Sequence, residues 1–262
     1  MSNFSLSSIK ALILDLDGVL WRDNQPIGDL PEIFRKVSDR GWKVVLATNN
    51  ATRTLEQYVY RMASYGVTIQ EWQIIHSGVA AAEHLKSLYP NGGPVFIMGE
   101  QGVTQALGEY GFFHSTENPI AVVAGMDRSL SYDKLRKASL FIRSGIPFIA
   151  TNTDRTYPTQ EGLVPGAGAI IAALEAASYV KPYVAGKPSP KMYRIALQRL
   201  NTNPGETLVV GDRPETDIAG AQALGCHTAL VLSGVVNRNE AAQWNPPPDI
   251  IAPDLASIVQ LS

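Results

Sequence analysis

Lys10-Ala11-Leu12-Ile13-Leu14-Asp15-Leu16-Asp17-Gly18-Val19-Leu20-Trp21 is the stretch on which the reading of this chain turns. Ala11 to Leu14 is an unbroken apolar run of the length and kind buried in parallel sheets. It delivers two carboxylates, Asp15 and Asp17, with Gly18 directly after. Residues two apart on an extended chain point to the same side. Two acids projecting together repel each other unless something compensates them, and in an open α/β sheet the carboxyl end of a strand is where ligands sit. A hard cation such as Mg2+, held by one or two carboxylates, is the obvious compensator. The local alternative is a strand that ends in an Asp-Gly turn.

Outward from this strand the chain alternates apolar runs with helical spacing. Leu30 to Arg40 carries Leu30, Ile33, Phe34 and Val37 at helical intervals and stops at Gly41. Val44 to Ala47 is a second buried strand, ending in Thr48-Asn49-Asn50; Leu55 to Tyr65 is a helix closed by Gly66, and Gln73 to His76 a short strand. This rhythm predicts a parallel sheet wound with helices. In the middle, strands are expected at Val95 to Met98, Ile120 to Ala124 and Phe148 to Ala150. Helices fit Val103 to Tyr110, Tyr132 to Ser144 and Ala167 to Ala177. Between them Thr151 to Pro165 reads as a long polar loop, and long loops in compact domains are often functional. The first theme resumes near Tyr183. Gly186-Lys187-Pro188 leads into a helix from Met192 to Leu200, and Thr207 to Val210 is a strand ending in Gly211-Asp212. Ile218 to Leu224 is a short helix, Thr228 to Leu232 a strand and Leu255 to Leu261 a last helix. The simplest organisation is one domain, 1–79 with 183–262, interrupted by an insertion over 80–182.

Composition narrows the class. The chain has 262 residues, 45% hydrophobic and 18% charged, which is the mixture of a folded globular protein and not of a disordered one. A net charge of −2 makes no electrostatic case for nucleic acid or an acidic membrane as partner. The single cysteine, Cys226, excludes an intramolecular disulfide, suits a reducing compartment and reads as a packed thiol. No apolar run reaches the roughly 18 residues of a membrane span. Met1 to Ser8 lacks the basic start and apolar stretch of a signal peptide, so the cytoplasm is the expected location.

Four strand ends therefore offer polar groups: Asp15 with Asp17, Thr48 to Asn50, Lys187, and Asp212 with Asp217. In a parallel sheet all carboxyl ends lie along one edge, so these groups can converge. Each has a plainer reading. Thr48 to Asn50 could cap the next helix. Lys187 could be a solvated loop lysine. Asp212 to Asp217 could be a turn followed by an acid at a helix start.

With these residues assembled, the sequence resembles the haloacid dehalogenase superfamily, in particular phosphatases of the NagD-like or 4-nitrophenylphosphatase-like type with an inserted α/β cap. Asp15-Leu16-Asp17-Gly18-Val19 is similar to the first family motif and Thr48-Asn49-Asn50 to the second. Gly186-Lys187-Pro188 is similar to the third, and Gly211 to Asp217 to the fourth. Thr151-Asn152-Thr153-Asp154 and Pro165-Gly166-Ala167-Gly168 resemble the cap of this subgroup. The resemblance implies a Rossmann-like doubly wound core with a C2-type cap, and hydrolysis of a small phosphorylated metabolite. A sugar phosphate, a nucleotide, phosphoglycolate or an aryl phosphate such as 4-nitrophenyl phosphate would all qualify.

The resemblance also implies roles. Asp15 would attack phosphorus to give an aspartyl-phosphate. Asp17 would protonate the leaving oxygen and later deprotonate the attacking water. Mg2+ would be held by the Asp15 carboxylate, the Asp17 carbonyl and Asp212, with Asp217 binding or orienting around it. Thr48, the Asn49 backbone and Lys187 would hold phosphoryl oxygens, with Asn50 beside them. In the long loop, Asp154, Arg155 and Tyr157 are candidates for contact with the leaving group. A homodimer through the cap is the assembly the resemblance allows. Two rivals remain at this point: a phosphoryl transferase or phosphomutase using the same nucleophile, and a catalytically idle metabolite-binding protein. His76, His84, His114 and His227 show no metal-ligand spacing, and Gly166-Ala167-Gly168 is no dinucleotide fingerprint, since the third glycine is missing.

Overall fold

Ala11–Leu14 is a strand whose four side chains are all fully buried. In the computed structural model, which describes residues 5–159 and 161–261, it lies at the middle of a six-stranded sheet. Thr207–Gly211 flanks it on one side and Lys43–Thr48 on the other, both parallel, so that Leu14 stands opposite Val210 and Leu46. His227–Val231 and then Ile250–Ala252 extend the sheet beyond Thr207–Gly211, again parallel. Ile74–His76 forms the opposite edge. The chain first winds to one side of the central strand and later returns on the other. That reversal creates a switch point between Ala11–Leu14 and Thr207–Gly211, the place where doubly wound sheets bind ligands.

Helices cover the sheet for reasons visible in the sequence. Leu30–Asp39 starts at Asp29, whose carboxylate accepts the Glu32 N–H, and it buries Leu30, Ile33 and Val37 along one stripe. Pro190–Leu200 starts at Ser189 and buries Met192, Tyr193, Ile195, Ala196 and Leu200. The helix expected over Ile218 to Leu224 is shorter: a wide turn over Pro214–Ile218 feeds a single helical turn, Ala219–Gln222. Pro214 opens that turn, and Gly225, at φ +77°, closes the segment. Trp21–Arg22 pairs antiparallel with Gln25–Pro26 as a small hairpin directly after the first strand.

The chain divides into two compact units: Met1–Thr48, Tyr58–Ile75 and Pro188–Ser262 in one, Asn49–Gln57 and His76–Lys187 in the other. The second unit has its own five-stranded sheet, in the order Tyr183–Val184, Phe148–Ala150, Val122–Ala124, Gly93–Met98, Phe112–His114, parallel at each pairing. Phe96, Met98, Val122 and Phe148 from this sheet pack with Ala138 and Ile142 of Tyr132–Arg143 and with Ile171 and Leu174 of Ala167–Ser178. Thr151 to Pro165 is not an unstructured loop. It carries an antiparallel ribbon, Thr156–Thr159 paired with Gly162–Pro165. Also unforeseen are the helix Ser77–Leu88 and the short elements Phe112–His114, Arg238–Gln243 and Ile250–Ala252. Among the described residues no helix is long and apolar enough to cross a membrane.

Candidate active site

The two strands that meet at the switch point each end in an acid. The Asp15 N–H still donates to the Val210 carbonyl at 2.9 Å, continuing the ladder by one step, and Asp212 follows Gly211 on the neighbouring strand. Asp217 reaches the same place from the turn after that strand. One oxygen from each of Asp15, Asp212 and Asp217 lies within 4.8 Å of the others. Asp212 and Asp217 are almost wholly buried, at 2% and 1% exposure. Backbone donors hold the two in place: the Val235 N–H at 3.0 Å on Asp212 Oδ2, and the Arg213 N–H at 3.0 Å on Asp217 Oδ2. Gly18, at φ +86°, backs against Asp212, and any Cβ there would collide with its carboxylate. Three carboxylates held this close, two of them buried and Asp15 half-buried, are an oxygen donor set suited to a hard divalent cation, whose charge would offset their mutual repulsion.

Asp17 lies beside this cluster in sequence and accepts a 2.9 Å hydrogen bond from the Trp21 indole. Thr48 ends the Lys43–Thr48 strand and is buried. The next residue, Asn49, belongs to the second unit and grips Lys187. The Lys187 N–H donates to Asn49 Oδ1 at 2.8 Å, and Asn49 Nδ2 donates back to the Lys187 carbonyl at 3.1 Å. The same Nδ2 faces both Asp154 carboxylate oxygens at 3.2 Å. The Asn49 carbonyl accepts from Ser77 Oγ at 2.5 Å and Asn152 Nδ2 at 2.8 Å. Gly186 is required here, because a Cβ would meet Asn49 Oδ1 and the Thr151 carbonyl. Lys187 itself is 3% exposed and therefore not a solvated loop lysine.

Asn50 does something more local. Its Oδ1 accepts the Thr52 N–H at 3.1 Å and the Thr52 hydroxyl at 2.7 Å, closing an Asx turn. The helix Leu55–Ser64 is started by Thr54 and Gln57, each side chain bonding the other's backbone N–H. Arg155 is exposed and Tyr157 half-buried on the ribbon strand. Ser77 and Asn152 support Asn49 from 28 and 103 residues away, and sequence spacing carries no signal of that kind.

Other titratable groups are accounted for by structure. Burial works to raise the Asp127 carboxyl, but Lys134, at 2.8 Å, and Ser129 outweigh it and hold it below the usual range. Burial pushes the Cys226 thiol up to about 12, which removes it as a nucleophile at neutral pH. His76 caps the helix Ser77–Leu88 by accepting from the Gly78 and Val79 N–H groups. His114 Nδ1 accepts from the Ile97 N–H at 3.1 Å.

Comparison with known proteins agrees with this arrangement. Residues 12–113 match the family described as haloacid dehalogenase-like hydrolase, and residues 184–258 the HAD-hydrolase-like family. The chain is 35% identical over 251 residues to the ribonucleotide monophosphatase NagD of Escherichia coli, covering 96% of this chain and 98% of that protein. It superposes on the 4-nitrophenylphosphatase of Thermotoga maritima with a TM-score of 0.92 at 30% identity, covering 98% of each chain. The glycerol phosphate phosphatase of Mycobacterium tuberculosis, solved in complex with magnesium, gives 0.90 at 33% identity, over 98% of this chain and 78% of that one. With the switch-point acids, the doubly wound sheet and the inserted α/β unit, this places the chain in the haloacid dehalogenase-like hydrolase family, among its NagD-like phosphatases.

Proposed function

We propose that this phosphatase hydrolyses a small phosphorylated metabolite with Mg2+, using Asp15 as nucleophile and Asp17 as general acid and base. The observation that carries the proposal is the trio Asp15, Asp212 and Asp217 at the switch point of the sheet. Asp15, Asp212 and the Asp17 carbonyl would hold the metal, with Asp217 binding or orienting beside them. When bound, the cation supplies positive charge to phosphoryl oxygens and offsets the carboxylates that would otherwise repel the substrate.

The Asp15 carboxylate attacks phosphorus, forming the Asp15 O–P bond as the P–O bond to the leaving group breaks. Asp17 delivers its proton to the leaving oxygen. Water, deprotonated by Asp17, then attacks the same phosphorus; the Asp15 O–P bond breaks and inorganic phosphate is released. Thr48, the Asn49 N–H and Lys187 hold the equatorial oxygens, where positive and donor groups stabilise the transition state most. Asn50, engaged with Thr52, shapes the loop that carries Asn49. Catalysis would fall to these strand-end residues, and choice of leaving group to the insertion, where Arg155 directly precedes the ribbon and Tyr157 lies on it.

Relatives named as nucleotide, aryl and glycerol phosphate phosphatases set the range of substrates to test. The experiment is phosphate release over a panel of nucleoside monophosphates, sugar phosphates, glycerol phosphate and 4-nitrophenyl phosphate, with Asp15→Asn as control. The wild type should turn over at least one substrate strongly. The near-isosteric amide cannot attack phosphorus, so the variant should lose turnover while staying folded. Retention of more than about a tenth of the activity, under about 1.4 kcal/mol of barrier, would show the nucleophile to be misassigned.

A further inference from the structure

We infer that Trp21 is a positioning residue for proton transfer: its indole holds the Asp17 carboxyl in the orientation that serves the leaving oxygen. The inference rests on the role proposed above for Asp17 and extends it to a residue with no assigned part in the chemistry.

Trp21 is fully buried, and a buried indole N–H almost always finds an acceptor. Here that acceptor is Asp17 Oδ1, at 2.9 Å. The two residues are joined by a loop that leaves little freedom. The Gly18 N–H donates to the Trp21 carbonyl at 2.7 Å, and the Trp21 N–H donates to the Leu16 carbonyl at 3.2 Å. Gly18 makes the turn at positive φ.

The ring is fixed from behind. The Arg61 guanidinium lies over it at 4.0 Å from the centroid, and Arg61 also donates to the Asp23 carbonyl in the hairpin. Tyr65 packs at 6.0 Å, and its hydroxyl donates to the Asn24 carbonyl at 3.0 Å. A cation over an indole face draws density from the ring and makes its N–H a better donor. Two residues of Leu55–Ser64 and the turn after it thus lock the indole, and the indole locks Asp17.

An N–H donor on Oδ1 restrains the side-chain torsions of Asp17 and so fixes the direction in which its carboxyl faces the leaving oxygen. In the first step the proton passes from Asp17 to the leaving oxygen as its bond to phosphorus breaks; in the second it returns from water. A carboxyl free to swing would spend much of its time out of line with either partner, and small misplacements of a catalytic group are costly.

Trp21→Phe tests this, because substrates differ in how much they need the proton. An alkoxide leaving group requires it, whereas 4-nitrophenolate departs without it. kcat/KM counts only the steps through cleavage of the first P–O bond. Trp21→Phe should therefore lower kcat/KM for the best alkyl phosphate of the panel about 10- to 100-fold, while 4-nitrophenyl phosphate changes by less than about 3-fold. Replacing the indole by 3-benzothienylalanine, which keeps the shape and puts sulfur in place of the N–H, should give the same split without a cavity. Asp17→Asn separates this inference from the reading beneath it. If alkyl phosphate hydrolysis survives Asp17→Asn within about 3-fold, the role of Asp17 falls and the Trp21 inference with it. If Asp17→Asn abolishes that hydrolysis but both Trp21 replacements lower the two substrates equally, or neither, Trp21 is a packing residue only and the inference is overturned.

Discussion

A single amide, Asn49, connects three parts of this chain. It accepts from and donates to the Lys187 backbone and points its NH2 at the Asp154 carboxylate. No other side chain of its size could do this: aspartate lacks the donor, and serine lacks the reach to meet both groups. Asn49→Asp should turn the donor into a second carboxylate facing Asp154 and leave the buried Lys187 carbonyl unsatisfied. A buried unsatisfied acceptor costs about 1–3 kcal/mol, so turnover should fall about 5- to 150-fold if Lys187 must be held in place. Adding Asp154→Asn restores a donor opposite the new acid and should recover part of that loss. The check is a double-mutant cycle on kcat/KM; strict additivity of the two changes would mean that the contact carries no energy. The motif Thr48-Asn49-Asn50 was legible because it follows a buried strand, but the grip of Asn49 was not. Its partners stand 105 and 138 residues away, and only folding brings them together. Trp21 is the opposite case: it stands within the opening stretch, four residues from Asp17, yet nothing in a sequence shows where an indole N–H points.

At the scale of elements, the strands and helices with clear periodicity were readable and the irregular ones were not. Ala11–Leu14 and Phe148–Ala150 are where the apolar runs place them. Ser77–Leu88 carries no readable helical period, because it is buried nearly all round through Val79 to Ala82 and so lacks an amphipathic stripe. Its cap is also a histidine, outside the usual Ser, Thr, Asp and Asn set. The ribbon Thr156–Thr159 with Gly162–Pro165 was hidden by the prolines at its positions 158 and 165, which normally argue against a paired strand. A two-stranded ribbon tolerates them, because each of its strands is an edge. The ribbon also divides the three cap candidates. Asp154 bonds Asn49, whereas Arg155 is exposed and Tyr157 sits on the ribbon. Replacing Arg155 and Tyr157 together by alanine should alter kcat/KM unequally across the panel, by about 5- to 150-fold for the best substrate and least for 4-nitrophenyl phosphate. Asp154→Ala, acting through Asn49 and Lys187, should lower all substrates alike. An unchanged ranking in the double variant would remove the ribbon from substrate choice.

For the whole molecule, the fold gathers acids that the sequence keeps far apart. Asp15 and Asp212 meet because their strands are neighbours in a parallel sheet, and Asp217 because a turn folds back over the second strand. That all these strand ends lie on one edge follows from parallel pairing; which strands are neighbours does not. Without a cation, folding must hold three carboxylates within 4.8 Å of one another, two of them nearly excluded from water. Such crowding opposes the folded state, and a ligand that binds only the folded form adds RT ln(1 + [L]/Kd) to its stability. Mg2+ at 100 times its dissociation constant would contribute about 2.7 kcal/mol. At about 2–4 °C per kcal/mol, this raises by roughly 5–10 °C the melting transition of the unit that carries the three aspartates. Asp212→Asn removes one charge while its side-chain oxygen can still accept from the Val235 N–H. The metal-free variant should therefore melt at or above the metal-free wild type, yet show almost no response to Mg2+ and no turnover. Scanning calorimetry of both proteins, stripped with chelator and then titrated with Mg2+, reads all of this. Equal responses in the two proteins would place the cation elsewhere. Ca2+ should also stabilise the wild type, since the same oxygens accept it. It should restore little activity if Asp15 is the nucleophile proposed above, because a larger and looser coordination shell would hold the phosphoryl group less well in line with it.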